Sequence, residues 1–98
     1  MSFLYVAFHY PKAEHLNDLL AAMHRLDEAM KGTAGLQRIG AWHEETSSRI
    51  IAISIWESRE AFQAALGKIG TAVADVPFDE WEARPRELFR AEEITLPI

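Results

Sequence analysis

Cysteine is absent from the 98 residues, which removes disulfides, thiolate metal sites and cysteine nucleophiles together. No apolar run approaches the roughly 20 residues of a membrane span. Phe3 to Phe8 is apolar, but it is short and no basic segment precedes it, so it reads as a first strand and not as a signal peptide. The expected location is cytoplasmic, with no membrane partner. Basic residues are few: ten Lys and Arg against fifteen Asp and Glu give a net charge of −5. Nucleic acid is therefore excluded as a partner, because phosphate neutralisation needs clustered cations. Arg84, Arg86 and Arg90 are the one cluster, and Glu80, Glu82, Glu87, Glu92 and Glu93 interleave with them, so this segment reads as a solvated mixed-charge face. Phosphate-cradling glycine loops are missing, since neither Gly32-x-x-Gly35 nor Gly67-x-x-Gly70 is a nucleotide fingerprint. His9, His15, His24 and His43 show no metal spacing, and His15 and His24 lie nine residues apart on different turns of a predicted helix, so no metal site is expected. Ser54 has no histidine and acid in a nucleophilic pattern, and no hydrolase is proposed.

What is present is the pattern of an ordinary globular domain, 49% apolar and 26% charged, expected to form one unit over residues 1–98. A chain this short buries a modest fraction of its surface, so a partner subunit would help to stabilise it. Phe3 to His9 alternates as a first strand, ended by Pro11. Leu16, Leu19, Leu20, Met23, Leu26 and Met30 recur at helical spacing up to Lys31, and Gly32 closes that helix. A second strand from Leu36 to Glu45 and a third from Arg49 to Trp56 form a hairpin around Thr46-Ser47-Ser48. Pairing Glu45 with Arg49 sets His43 opposite Ile51, Ala41 opposite Ile53, Ile39 opposite Ile55 and Arg38 across from Trp56. Ser58 is placed to cap a second helix carrying Phe62, Leu66, Ile69 and Val73 on one stripe; Gly67 and Gly70 weaken it by about 1 kcal/mol each relative to alanine. Asp75 to Pro85 reads as a turn or short helical piece whose Phe78 and Trp81 plug a gap, and Glu87 to Thr95 as a fourth strand, with alternation continuing through Leu96 and Ile98.

The order β-α-β-β-α-β predicts an α+β ferredoxin-like fold, a four-stranded antiparallel sheet with two helices on one face. Leu4, Val6, Phe8, Ile51, Ile53 and Ile55 suit the helix-covered side, which leaves Phe3, Tyr5, Trp42 and Trp56 facing away. So many aromatics make a patch larger than a soluble monomer exposes. A homodimer packed sheet against sheet, with Leu96-Pro97-Ile98 reaching across, covers it.

The run Ile55-Trp56-Glu57-Ser58-Arg59-Glu60-Ala61-Phe62, preceded by the hairpin and by Gly35 leading into the second strand, resembles the antibiotic biosynthesis monooxygenase-like family of the dimeric α/β barrel superfamily. The similarity covers nearly the whole chain in element order. At residue level it rests on the Trp-x-Ser-x-x-Ala-Phe corner and on Gly32-x-x-Gly35. The resemblance implies a ferredoxin-like protomer, dimerisation through the sheets into an α/β barrel, and a pocket between sheet and helices. It also implies activities found in that family, cofactor-independent oxygenation of polycyclic aromatics and quinols or haem degradation. The haem-degrading branch is similar in its tryptophan at Trp56, but its histidine in the second helix has no counterpart between Phe62 and Pro85. Its asparagine in the first strand is absent, and Ala64 and Ala65 stand where its second tryptophan is expected.

The expected activity is that of a cofactor-independent monooxygenase acting on a small aromatic or quinol ligand. Tyr5 and Trp56 shape the pocket, with Trp42 and Ser54 beside them, Arg38 stabilises developing negative charge and His9 handles a proton. Each residue also has a plainer reading. Trp56 closes a core at a strand-helix corner, Trp42 anchors a dimer interface, His9 is a solvated strand end, and Arg38 pairs at the surface with Glu57 or Glu44. A non-catalytic, ligand-binding or stress-associated homodimer is the alternative function.

Overall fold

Strand β1 (Phe3–His9) runs to Pro11, a 3-10 turn at Ala13–His15 and helix α1 (Leu16–Met30). Strands β2 (Leu36–His43) and β3 (Ile50–Trp56) follow, then α2 (Arg59–Ala72), the single turn α3 (Phe78–Trp81) and β4 (Glu87–Glu92). This computed structural model describes residues 1–94, so Leu96-Pro97-Ile98 and their expected reach across an interface lie outside the described residues. The four strands are antiparallel in the order β2-β3-β1-β4, which is the ferredoxin-like α+β arrangement.

Local chemistry accounts for the element ends. Gly32, at φ +75°, turns the chain out of α1, and Thr33 N–H donates to the Met30 carbonyl at 3.1 Å. Ser58 Oγ accepts from Ala61 N–H at 3.1 Å, a cap that stabilises α2 by about 1 kcal/mol. Helix α2 runs unbroken through Gly67 and Gly70, since Phe62 and Ala65 bury one face of it. Gly35 has φ +81°, and its carbonyl accepts from Glu57 N–H at 2.8 Å. A Cβ on it would lie 2.5 Å from the Ala61 Cβ, so backbone and helix meet at a distance that only glycine permits. The two stretches that carry the family resemblance are thus in contact with each other.

The assignment of sheet faces expected from the sequence is inverted for β1 and β3, while Trp42 of β2 faces away from the helices as expected. Phe3, Tyr5, Ala7 and His9 of β1 pair with Trp56, Ser54, Ala52 and Ile50 of β3, and these residues face the helices. Phe62 of α2 fixes the orientation, its ring centroid standing 5.2 Å from Phe3, 4.9 Å from Tyr5 and 5.9 Å from Trp56. Leu4, Val6, Phe8, Ile51, Ile53 and Ile55 form the opposite, even surface, only half-buried in the protomer. Both faces are apolar, so hydrophobicity alone carried no information about which one the helices take. The two faces differ in size contrast: the helix side mixes large rings with alanines, whereas the opposite side carries an unbroken row of large apolar chains.

The hairpin register also differs from expectation by one residue. His43 pairs with Ile50, Trp42 with Ile51, Ala41 with Ala52, Ile39 with Ser54 and Arg38 with Ile55, and a bulge at Gln37 then sets Leu36 opposite Trp56. The cause is the turn. Glu44 N–H donates to the Arg49 carbonyl at 2.8 Å, and the Glu44 carboxylate gathers Ser47 N–H and the Ser47 hydroxyl at 2.7 Å each. This closes a loop one residue longer than the expected Thr46-Ser47-Ser48, with Ser48 at φ +59°.

Candidate functional site

Between the sheet and the two long helices lies a cavity of about 250 Å³. Its floor is made of short side chains, Ala7, Ala41, Ala52 and Ser54, where methyls and a hydroxyl stop below the level that Met23, Leu26, Leu66 and Ile69 reach from the helices. The space exists because β1, β2 and β3 each place a small residue at the same level of the sheet. Tyr5 and Trp56 line one end and His9 the other.

Trp56 is fully buried, and its indole N–H donates to Ser54 Oγ at 2.9 Å. Ser54 therefore satisfies a buried donor that would otherwise be destabilising. Trp56, Phe3, Phe62 and Met30 close this end as a solid core cluster.

The opposite end is polar. His9 is 3% exposed, far from the solvated strand end of its plainer reading, and its Nδ1 lies 3.0 Å from Glu82 Oε2. Glu82 is itself 6% exposed and takes the Tyr10 N–H on Oε1 at 2.8 Å, so it is not part of a solvated charged face. The segment is pinned to the end of β1, where Lys12 N–H donates to the Trp81 carbonyl and Ala83 N–H to the Tyr10 carbonyl, each at 2.8 Å. A carboxylate only accepts, so His9 carries a proton on Nδ1 and keeps Nε2 as its second functional nitrogen. The His9 ring stacks on Phe78 at 5.5 Å, and the Arg86 guanidinium lies 3.9 Å over the other ring system of that pair, Phe78. Arg86 and Asp27 line the cavity; burial, the leading effect, pushes the Asp27 carboxyl up from its ordinary value, with His24 opposing and Glu28 reinforcing the shift.

Of the residues expected at the site, Tyr5, His9, Ser54 and Trp56 are brought together around the cavity, and Arg38 and Trp42 are not. The observed register puts Arg38 and Trp42 on the outer face, with the guanidinium 5.5 Å from the indole centroid. Arg38 lies across from Ile55, not Trp56, and this one-residue difference carries it to the opposite side of the sheet. Glu82, Phe78 and Arg86 were missed. No local pattern marks Glu82, whose partner is 73 residues away in the chain. The cavity floor did leave a trace, the small residues at Ala7, Ala41, Ala52 and Ser54. Among the described residues, no group of three or more His, Asp or Glu gathers as metal ligands, and no helix is long and apolar enough to cross a membrane.

The family model described as antibiotic biosynthesis monooxygenase matches residues 2–68, about two thirds of the chain and all of the corner, hairpin and first-helix elements described above. The chain belongs to the antibiotic biosynthesis monooxygenase family. Three solved structures illustrate how widely this family's fold is shared. Rv0793 from Mycobacterium tuberculosis superposes with a TM-score of 0.84 at 13% identity, covering 98% of both chains. A conserved protein from Methanosarcina mazei Go1 gives 0.83 at 13%, covering 96% of this chain and 94% of the other. A candidate antibiotic biosynthesis monooxygenase from Nitrosomonas europaea gives 0.78 at 14%, covering 95% and 90%. At such identities the likeness speaks to fold alone. No curated protein in the comparison matches the chain.

Proposed function

We propose that this member of the antibiotic biosynthesis monooxygenase family is a cofactor-independent monooxygenase of a small aromatic or quinol substrate, with the cavity as its active site. The observation that carries the reading is the buried His9–Glu82 pair, whose histidine lines a cavity walled mainly by apolar side chains. His9 Nε2 takes the proton of a phenolic hydroxyl, and Glu82 steadies the imidazolium that forms. The electron-rich phenolate carbon forms a C–O bond with dioxygen, giving a peroxide. Loss of water from that peroxide, with His9 returning its proton, converts a ring CH₂ or its phenol tautomer to a carbonyl. One oxygen atom ends in the product and one in water. Tyr5 and Trp56 shape the aromatic end. Arg38 has no part in this cavity, being on the other face of the sheet.

Oxygen uptake with a panel of hydroquinones and hydroxynaphthalenes tests the proposal. His9→Gln, chosen because an amide still pairs with Glu82, is expected to slow uptake by about 10²-fold without unfolding the protein. Binding across the panel without oxygen uptake would favour the non-catalytic ligand-binding alternative.

We also infer a homodimer through the outer sheet face, completing an α/β barrel. The level aliphatic surface of Leu4, Val6, Ile51, Ile53 and Ile55 supports it, as do Phe89 and Trp42, 49% and 44% exposed in the protomer. Light scattering after size exclusion is expected to give twice the chain mass of 11.1 kDa, and a monomer at micromolar concentration overturns the inference.

A further inference from the structure

We infer that Arg86 selects substrates that carry a carboxylate on their aromatic body. The inference rests on the cavity being the ligand site proposed above. Among the described residues Arg86 is the one Lys or Arg that lines the cavity. It stands beside the reacting end, because its guanidinium lies 3.9 Å over Phe78 and Phe78 stacks on His9. Contact with a ring face leaves the N–H donors of the guanidinium in its own plane unspent, in the fork geometry that matches a carboxylate.

The surrounding charges point the same way. Arg25, Arg49, Arg59 and Arg84 each have an acidic partner within 4.0 Å; Arg38, Arg86 and Arg90 have none among the described residues, and of these three only Arg86 lines the cavity. Arg84 shows that this is a matter of direction: only two residues earlier, it lies 3.7 Å from Glu87 and over Tyr10. In a chain of net charge −5, Arg86 is a solvent-exposed cation without an acidic partner on a cavity lined mainly by apolar side chains, open to a ligand acid. The lining carboxylate, Asp27, is on α1 and repels a ligand acid bound at its own wall. Together they orient a ligand with one acidic group: its acid at Arg86, its rings over the alanine floor, and its hydroxyl within the reach of the His9 end.

Titration calorimetry of the full chain with 2-naphthoate and 2-naphthamide, equal in shape and different in charge, tests this. The acid is expected to bind about tenfold more tightly at low salt. Arg86→Gln should abolish the preference while leaving affinity for the amide within about twofold, and Arg86→Lys should keep part of it. Equal affinities in the unmodified protein, a preference that survives Arg86→Gln, or binding of neither compound each overturns the inference. Oxygen uptake separates the two proposals: a carboxylate preference without uptake sinks the oxygenase reading alone, and uptake on neutral hydroquinones with no such preference sinks this one alone.

Discussion

The cavity is closed at its two ends by different chemistry. At one end Trp56 and Phe62 are fully buried and meet Phe3, Tyr5 and Met30, with the indole N–H satisfied by Ser54 two residues away. At the other, Phe78 and Trp81 are only partly buried, Phe78 stacking on the His9 of a His9–Glu82 pair drawn from opposite ends of the chain and Trp81 on His15. The first end resembles a domain core and supplies cohesion. The second keeps polar groups out of water and orients them, an arrangement that adds little cohesion and makes chemistry available. Conspicuous aromatics at a strand-helix corner are therefore a poor guide to where a fold of this kind reacts.

Truncating one ring at each end is the most forceful test of that contrast. Phe62→Ala removes a completely buried side chain and is expected to cost about 3–5 kcal/mol in urea denaturation. Phe78→Ala gives up a partly buried ring and its contacts with His9 and Arg86, and about 1–2 kcal/mol is expected. Equal losses would mean that the two ends do not differ in kind.

The same contrast explains what the sequence disclosed. Strands, helices, the Ser58 cap and the Gly32 stop follow from periodicity and from side chains within a few residues of one another, and they are found close to where the pattern places them. Strand β4 ends at Glu92, short of the expected Thr95. The faces of β1 and β3 were exchanged because Ile51, Ile53 and Ile55 are as apolar as the Phe3 and Trp56 side, and one residue in the hairpin loop sufficed to set Arg38 across from Ile55 in place of Trp56. Nothing near Glu82 announces that it is buried, since its environment is made by β1, some seventy residues earlier.

A gentler perturbation leaves the packing alone and alters only proton placement. In Glu82→Gln the amide oxygen still accepts the Tyr10 N–H, but the amide N–H now faces His9 Nδ1. Nδ1 becomes the acceptor and the proton moves to Nε2, so the ring loses its basic nitrogen on the cavity side. Turnover is expected to fall by about 10- to 100-fold with the fold intact, and nitrogen chemical shifts of His9 should report the exchanged tautomer. An unchanged rate with the exchanged tautomer would show that His9 does not act as a base.

The smallest effect concerns a polar cluster that is local in sequence and far from the cavity. Glu44 accepts from the Ser47 hydroxyl, the Thr46 hydroxyl and the Ser47 N–H, and these bonds, led by that of Ser47, pull its carboxyl from 4.5 to about 2. A carboxylate depressed on folding contributes stability that is fully present above pH 4.5 and is lost as the pH falls through 2. The hairpin turn should therefore loosen over that acid interval, with the Ser47 amide signal reporting it, and Glu44→Gln should flatten the response. Because Glu44 is solvated, the change in melting temperature should be slight. It should also leave the His9–Glu82 end untouched, since that pair depends on β1 and α3 and not on the hairpin. If acid instead released both clusters together at a single midpoint, the turn and the cavity would be one cooperative unit, and the separation between local cohesion and long-range chemistry would fail.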